Sequence, residues 1–185
     1  SMGDSTSFRM KTTLLGVVAG LSFSPTVDLS TVFSYKNVKI FNRAHDGKGD
    51  IRTIFSGQDI PGLHGEDLLS YGLVFNRDTR DSSDQATKGS YQQLSFKFTD
   101  GTGNSQARYF TYSLDAAKYF QLASPRRIFV TRLFAEYNQE VNHGKVPFFE
   151  MAKLGSSGTF PSRSQTARAY VYNRFYGESA ILLNL

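Results

Sequence analysis

The residues that could do chemistry in this 185-residue chain are few and scattered. Asp78-Thr79-Arg80-Asp81 sets two carboxylates around a guanidinium, a grouping that in a cleft could polarise a substrate or hold a cation. At a strand end the same spacing makes an Asx-type turn, and that is the reading the flanking pattern favours for Asp78, Arg80 and Asp81. His45, His64 and His143 lie far apart without i+4 or carboxylate spacing, so no metal site is expected. Ser156 and Ser157 in GSSGTF lack the strand–turn–helix setting of a nucleophile elbow. The Gly-rich stretch from Asp46 to Asp50 lacks the Lys-Ser/Thr of a phosphate loop. Zero cysteines exclude disulfides, thiolate zinc sites and cysteine nucleophiles together. No catalytic residue, metal or cofactor is expected, and the chain does not read as an enzyme.

The elements that would position these residues are strands. Alternation of apolar and polar residues dominates, and helical spacing is nearly absent. Leu15, Val17, Ala19, Leu21 and Phe23 share one face; so do Leu29, Thr31, Phe33 and Tyr35, and Leu69, Tyr71, Leu73 and Phe75. Leu94, Phe96 and Phe98 follow, then Phe110, Tyr112, Leu114 and Ala116, then Phe129, Leu133, Ala135 and Tyr137. A last segment, Ser179 to Leu185, is too apolar on both sides to choose a face. The opposite faces carry Gly, Ser, Thr, Asn and single charges, a poor filling for a dry core. These runs approach the roughly 9 to 11 residues that a tilted strand needs to cross a bilayer, against about 5 to 6 in soluble sandwiches. No apolar run is long enough for a spanning helix.

Lysine and arginine number 21 against 16 acidic residues, a formal charge of +5, but the basic residues occur singly or in pairs. With no recognition motif beside them, nucleic acid is not an expected partner. Residues 1–11 read as a tag scar and a leader into the first strand. Residues 10–24 fit either a secretory signal or a strand, the strand better. Residues 12–185 read as one β-barrel segment whose long loops, 41–67 and 139–176, leave by the same rim, opposite shorter turns near Pro25, Asp78 and Pro125. That asymmetry is the pattern of outer-membrane barrels. About seven strands are expected, an odd number that would leave a barrel open.

Three stretches carry a resemblance: YGLVFNRDTRD (Tyr71 to Asp81) with Lys88-Gly89, PFFEMAKLGSSGTF (Pro147 to Phe160), and ARAYVYNRFYGESAILLNL (Ala167 to Leu185). In that order they resemble the C-terminal barrel of the BamA-like outer-membrane assembly and translocation superfamily, also called the bacterial surface antigen family. The resemblance implies an all-β, antiparallel up-and-down transmembrane barrel of about 16 strands, of which this chain is a partial segment. It implies that Pro147, Phe148, Phe149 and Gly155 belong to a loop folding back into the lumen. Arg168-Ala169-Tyr170 would be the tip of that loop, with Arg168 pairing to acidic groups on the inner wall; Glu136, expected inward, is the partner this chain offers. Ala169 stands where the family has glycine, and Phe160 to Gln165 is an insertion. The implied location is the bacterial outer membrane, with outer-membrane lipid, client polypeptides and accessory assembly proteins as partners. Two other readings remain open: a soluble or surface β-sandwich that binds a ligand through its long loops, and a barrel anchor for a separate passenger enzyme domain.

Overall fold

A computed structural model describes residues 8–42, 59–123, 127–154 and 175–185. Strands β1 (Phe8–Ser24), β2 (Val27–Asn42), β3 (Glu66–Asp78), β4 (Gly89–Gly101), β5 (Arg108–Gln121) and β6 (Ile128–Glu140) follow one another. After a 3₁₀ turn at Phe148–Glu150 come the short strands β7 (Ala152–Leu154) and β8 (Phe175–Gly177), then β9 (Ser179–Asn184). The main sheet has seven strands in the order β1-β2-β3-β4-β5-β6-β9, and β7 pairs with β8. Every pairing between these strands is antiparallel and joins strands adjacent along the chain, apart from the β7–β8 excursion between β6 and β9. This is the expected up-and-down sheet of a partial barrel, with β1 and β9 at its two edges. Residues 10–24 are strand, and β1 begins at Phe8, inside the stretch read as a leader.

Register explains the faces. One cross-strand row runs Ala19, Thr31, Leu73, Phe96, Tyr112, Tyr137 and Ser179; the next runs Leu21, Leu29, Phe75, Leu94, Leu114, Ala135 and Ile181. The apolar residues of every strand therefore fall on one continuous surface. That surface is uncovered: Leu21 is 69% exposed, Phe96 40% and Ile181 70%. Among the described residues no second sheet packs on it, so the sandwich reading loses its premise. In water an apolar patch across seven strands would drive aggregation; against hydrocarbon it needs no cover.

Tyr35, Tyr71 and the Tyr112/Tyr137 pair step down by one row, two residues, each time along this surface. Four residues of drift over four strand spacings corresponds to a tilt of about 35°, so the diagonal becomes a level girdle in a tilted barrel. Pairs such as Phe96–Phe110, with ring centroids 5.0 Å apart, knit the face together.

The opposite face is concave and polar. Ser70 bonds Thr99 at 2.9 Å, Ser95 bonds Ser113 at 2.6 Å, and the Thr111 hydroxyl donates to Asn138 at 2.7 Å. Arg132 donates to both Asp115 carboxylate oxygens, at 2.8 and 2.7 Å. These polar groups are thus satisfied across strands, as a low-dielectric lining favours, while among the described residues Gln93 Oε1 and the Tyr109 hydroxyl are buried without a hydrogen-bond partner. Apolar burial collects at the long-loop end of this face: Val38, Ile40, Leu68, Ala107 and Tyr109 from the wall meet Leu63, Val146 and Phe149 from the loops. Burying Val146 and Phe149 there contributes roughly 1.5–3 kcal/mol each.

Candidate functional site

The site is where the chain leaving β6 turns back onto the inner wall. Asn142 and His143 take positive φ, 51° and 61°, and the Gly144 N–H donates to the Val141 carbonyl at 2.8 Å. Residues of the Asn-His-Gly type permit such a reversal more readily than branched residues do. The returning strand end is then pinned by backbone bonds: Val141 N–H to Arg108 O at 3.1 Å, Lys145 N–H to Gln106 O at 2.9 Å and Phe148 N–H to Pro61 O at 3.0 Å. Gly62, with φ of +82°, lies so close that a Cβ there would come within 2.8 Å of both Pro147 and Phe149 side chains. The loop preceding β3 and the fold-back segment are therefore packed as one piece.

Pro147 is fully buried and Phe149 nearly so, while Phe148 stacks edge-on against Phe149 at 5.3 Å and against Phe8 of β1 at 5.8 Å. This arrangement places Glu150 against the wall. Its carboxylate pairs with Lys36 of β2, and its backbone carbonyl accepts from Asn138 of β6 at 3.4 Å. Lys153 donates to the Phe149 carbonyl at 2.6 Å. Burial pushes the Glu150 carboxyl upward, but the combined pull of Lys36, Lys97 and Lys153 outweighs it and holds the group below the usual glutamate range. One buried carboxylate, paired with Lys36 of β2 and in the field of Lys97 of β4, thus latches a hydrophobic plug onto the wall. A charge cluster of this kind fixes position; it offers no nucleophile and no acid–base pair aimed at a cleft.

Glu136, the expected acceptor for Arg168, is 4% exposed on the inner wall of β6, opposite Ser113 and Ala180. Gly155, Arg168, Ala169 and Tyr170 lie outside the described residues. At the opposite rim, Asp78 accepts the Arg80 backbone N–H at 3.0 Å and takes the guanidinium at 2.9 and 2.6 Å. Arg80 also covers the Tyr91 ring at 5.0 Å. Asp81 accepts the backbone N–H groups of Thr87 at 2.8 Å and Lys88 at 3.2 Å, and the Thr87 hydroxyl first among these holds its pKa down to about 2. Gly89 closes this turn with φ of +99°, where a Cβ would stand 2.2 Å from the Thr79 carbonyl oxygen. The Asp-Thr-Arg-Asp stretch is built as an Asx turn. His64 borders a cavity of about 560 Å³ at the long-loop rim, far along the strands from Asp78 and Arg80, so these groups share no pocket.

The Glu150 latch is absent from the sequence reading. Its one signal was the presence of Lys36 and Lys97 at inward strand positions, where an unpaired cation demands a partner; nothing local names that partner, since Lys36 and Glu150 are 114 residues apart.

The sequence matches the Omp85 superfamily domain over residues 1–179. No curated protein matches it.

Proposed function

The chain belongs to the Omp85 superfamily, and we propose that it forms part of an outer-membrane barrel that inserts or translocates polypeptides in the BamA-like manner. Omp85 proteins are in general outer-membrane proteins of polypeptide insertion and translocation, acting by physical means. The observation that carries the reading is the two-faced sheet: a greasy outer surface across every strand, and a wet inner wall carrying a latched fold-back segment. A channel whose lumen is occupied by its own loop can guide a client along wall and rim without an open pore. On this reading Pro147, Phe148, Phe149 and Gly155 belong to the luminal plug, Arg168-Ala169-Tyr170 is its tip, and Glu136 is the tip's acceptor. The partners are outer-membrane lipid, client β-rich polypeptides and accessory assembly proteins, and the chain itself performs no covalent chemistry.

The test is reconstitution. The chain is placed in liposomes, and the folding rate of an unfolded outer-membrane β-barrel client is followed by heat-modifiable gel mobility. Acceleration over empty liposomes is expected. A client that folds at the empty-liposome rate contradicts the proposal and favours the passive-anchor reading.

A further inference from the structure

Above the apolar band on the outer face of β1 and β2 stands a strip of cations. Lys11 and Lys39 are direct cross-strand partners, and Arg9 stands opposite Phe41 in the next outward row. All of these side chains are exposed. Like charges directly opposite destabilise a strand pair, yet among the described residues none of the three makes an ion pair. The carboxylate beside them, Asp67 of β3, is held by the Tyr35 hydroxyl at 2.7 Å and the Asn37 amide at 2.6 Å; it attracts Lys39 through space but forms no ion pair with it, and one carboxylate does not balance three cations. Further round the same rim the outward cation is neutralised: Arg108 binds Asp100 through two bonds, at 3.0 and 2.8 Å.

Lys39 lies four residues beyond Tyr35 along β2, which at the tilt above puts it ~11 Å over the tyrosine girdle, in the headgroup layer. Below the intervening Thr13–Asn37 pair, Leu15, Val17 and Phe33 offer apolar surface to acyl chains. We propose that Arg9, Lys11 and Lys39 form a binding site for the phosphate-bearing headgroup of an anionic outer-leaflet lipid. A phosphate seated between the two ammonium groups accepts from both and removes their repulsion, while the guanidinium adds a fork-shaped donor pair. The site rests on the lipid-facing reading of the outer face, and it names the headgroup chemistry that face selects.

The chain in neutral detergent is titrated separately with phosphatidylglycerol, phosphatidylcholine and inorganic phosphate, and bound species are counted by native mass spectrometry. Phosphatidylglycerol is expected to be retained over phosphatidylcholine, and its retention alone to fall with added NaCl. The double variant Lys11→Gln, Lys39→Gln should lose about 25-fold in apparent phosphatidylglycerol affinity, at about fivefold per charge. Lys11→Arg with Lys39→Arg should keep it, and so should Lys118→Gln, on β5 toward the opposite rim. Equal binding by the Gln double variant and the parent overturns the site, as does an equal loss in Lys118→Gln. Displacement of the lipid by equimolar inorganic phosphate overturns the lipid assignment. Retention of neither lipid overturns the site together with the lipid-facing outer surface, whereas equal retention of both overturns the site alone.

Discussion

On β4 the outward residues Leu94, Phe96 and Phe98 alternate with the inward residues Ser95, Lys97 and Thr99, one residue apart in sequence and in different surroundings. Leu94 is 51% exposed and carries no polar atom in its side chain; Thr99 is fully buried and is bonded to Ser70. A soluble protein would bury the first set and expose the second. Here exposure and polarity are inverted along β4, whereas β1, an edge strand, is exposed on both faces. The lesson is that burial alone does not identify the dry side of this sheet. The inner face is buried where loop residues pack on it, and its polar groups answer one another; the outer face is left uncovered, as the strands of Omp85 outer-membrane barrels leave the face that meets lipid.

Charging the outer face should produce the largest effect. Leu94→Arg, four residues below the girdle level at Phe98 on β4, is expected to destabilise the folded state in a bilayer by about 2–4 kcal/mol, the cost of a cation near the hydrocarbon midplane. Ser95→Asn, one residue away and inward, should cost about 1 kcal/mol or less, one neutral hydrogen bond exchanged for another. Urea unfolding in liposomes, read by circular dichroism, checks both; equal costs would erase the distinction between the faces.

The inner face tolerates polarity but not bulk where strands approach closely. A Cβ on Gly72 would meet the Phe96 carbonyl oxygen at 2.4 Å. Gly72→Val should therefore cost about 1–3 kcal/mol in the same assay, through strain in the β3–β4 pairing. A neutral outcome would mean that the pairing is looser than the register implies.

Glu150→Gln sharpens the comparison between wall and plug. It leaves Lys36, Lys97 and Lys153 without their shared carboxylate, and release of the plug should become easier by about 1–2 kcal/mol, since Lys36 keeps partial access to water. Hydrogen exchange should quicken over residues 141–154 while β4 and β5 keep their protection. Uniform quickening would make the latch part of the barrel's global stability instead.

The smallest effect is one of pH. Glu150 is held below its ordinary value of 4.5 in the folded chain, so its contribution is fully present above that pH and is lost as pH falls through the lower folded value. Acidification should loosen the plug before the sheet. The cap of the β3–β4 turn should loosen only as pH approaches about 2, where Asp81 takes up its proton. Exchange rates of residues 141–154 and 79–89 across pH 2 to 7 read both.

The strands were legible because period-two patterning is local: each run declares its own outward face. Ser179 to Leu185 was not, because both of its faces are apolar. Ile181 and Leu183 look outward beside Ala135 and Leu133, whereas Ala180 and Leu182 pair inward with Glu136 and Phe134. The Asp78–Asp81 turn was legible for the same reason as the strands, since every partner lies within a few residues or across one hairpin. The latch was not legible. Lys36, Lys97, Glu150 and Lys153 meet only after sheet register and a reversal at Asn142-His143 have brought them together.

Spin labels placed singly at residues 94, 95, 96, 97 and 98 of β4 in liposomes test the central claim most directly. Oxygen, which concentrates in hydrocarbon, should reach labels at 94, 96 and 98, and a water-soluble nickel chelate should reach 95 and 97 more readily than its neighbours. Accessibility without alternation, or with the parity reversed, would contradict an outer face in lipid around a hydrated lumen.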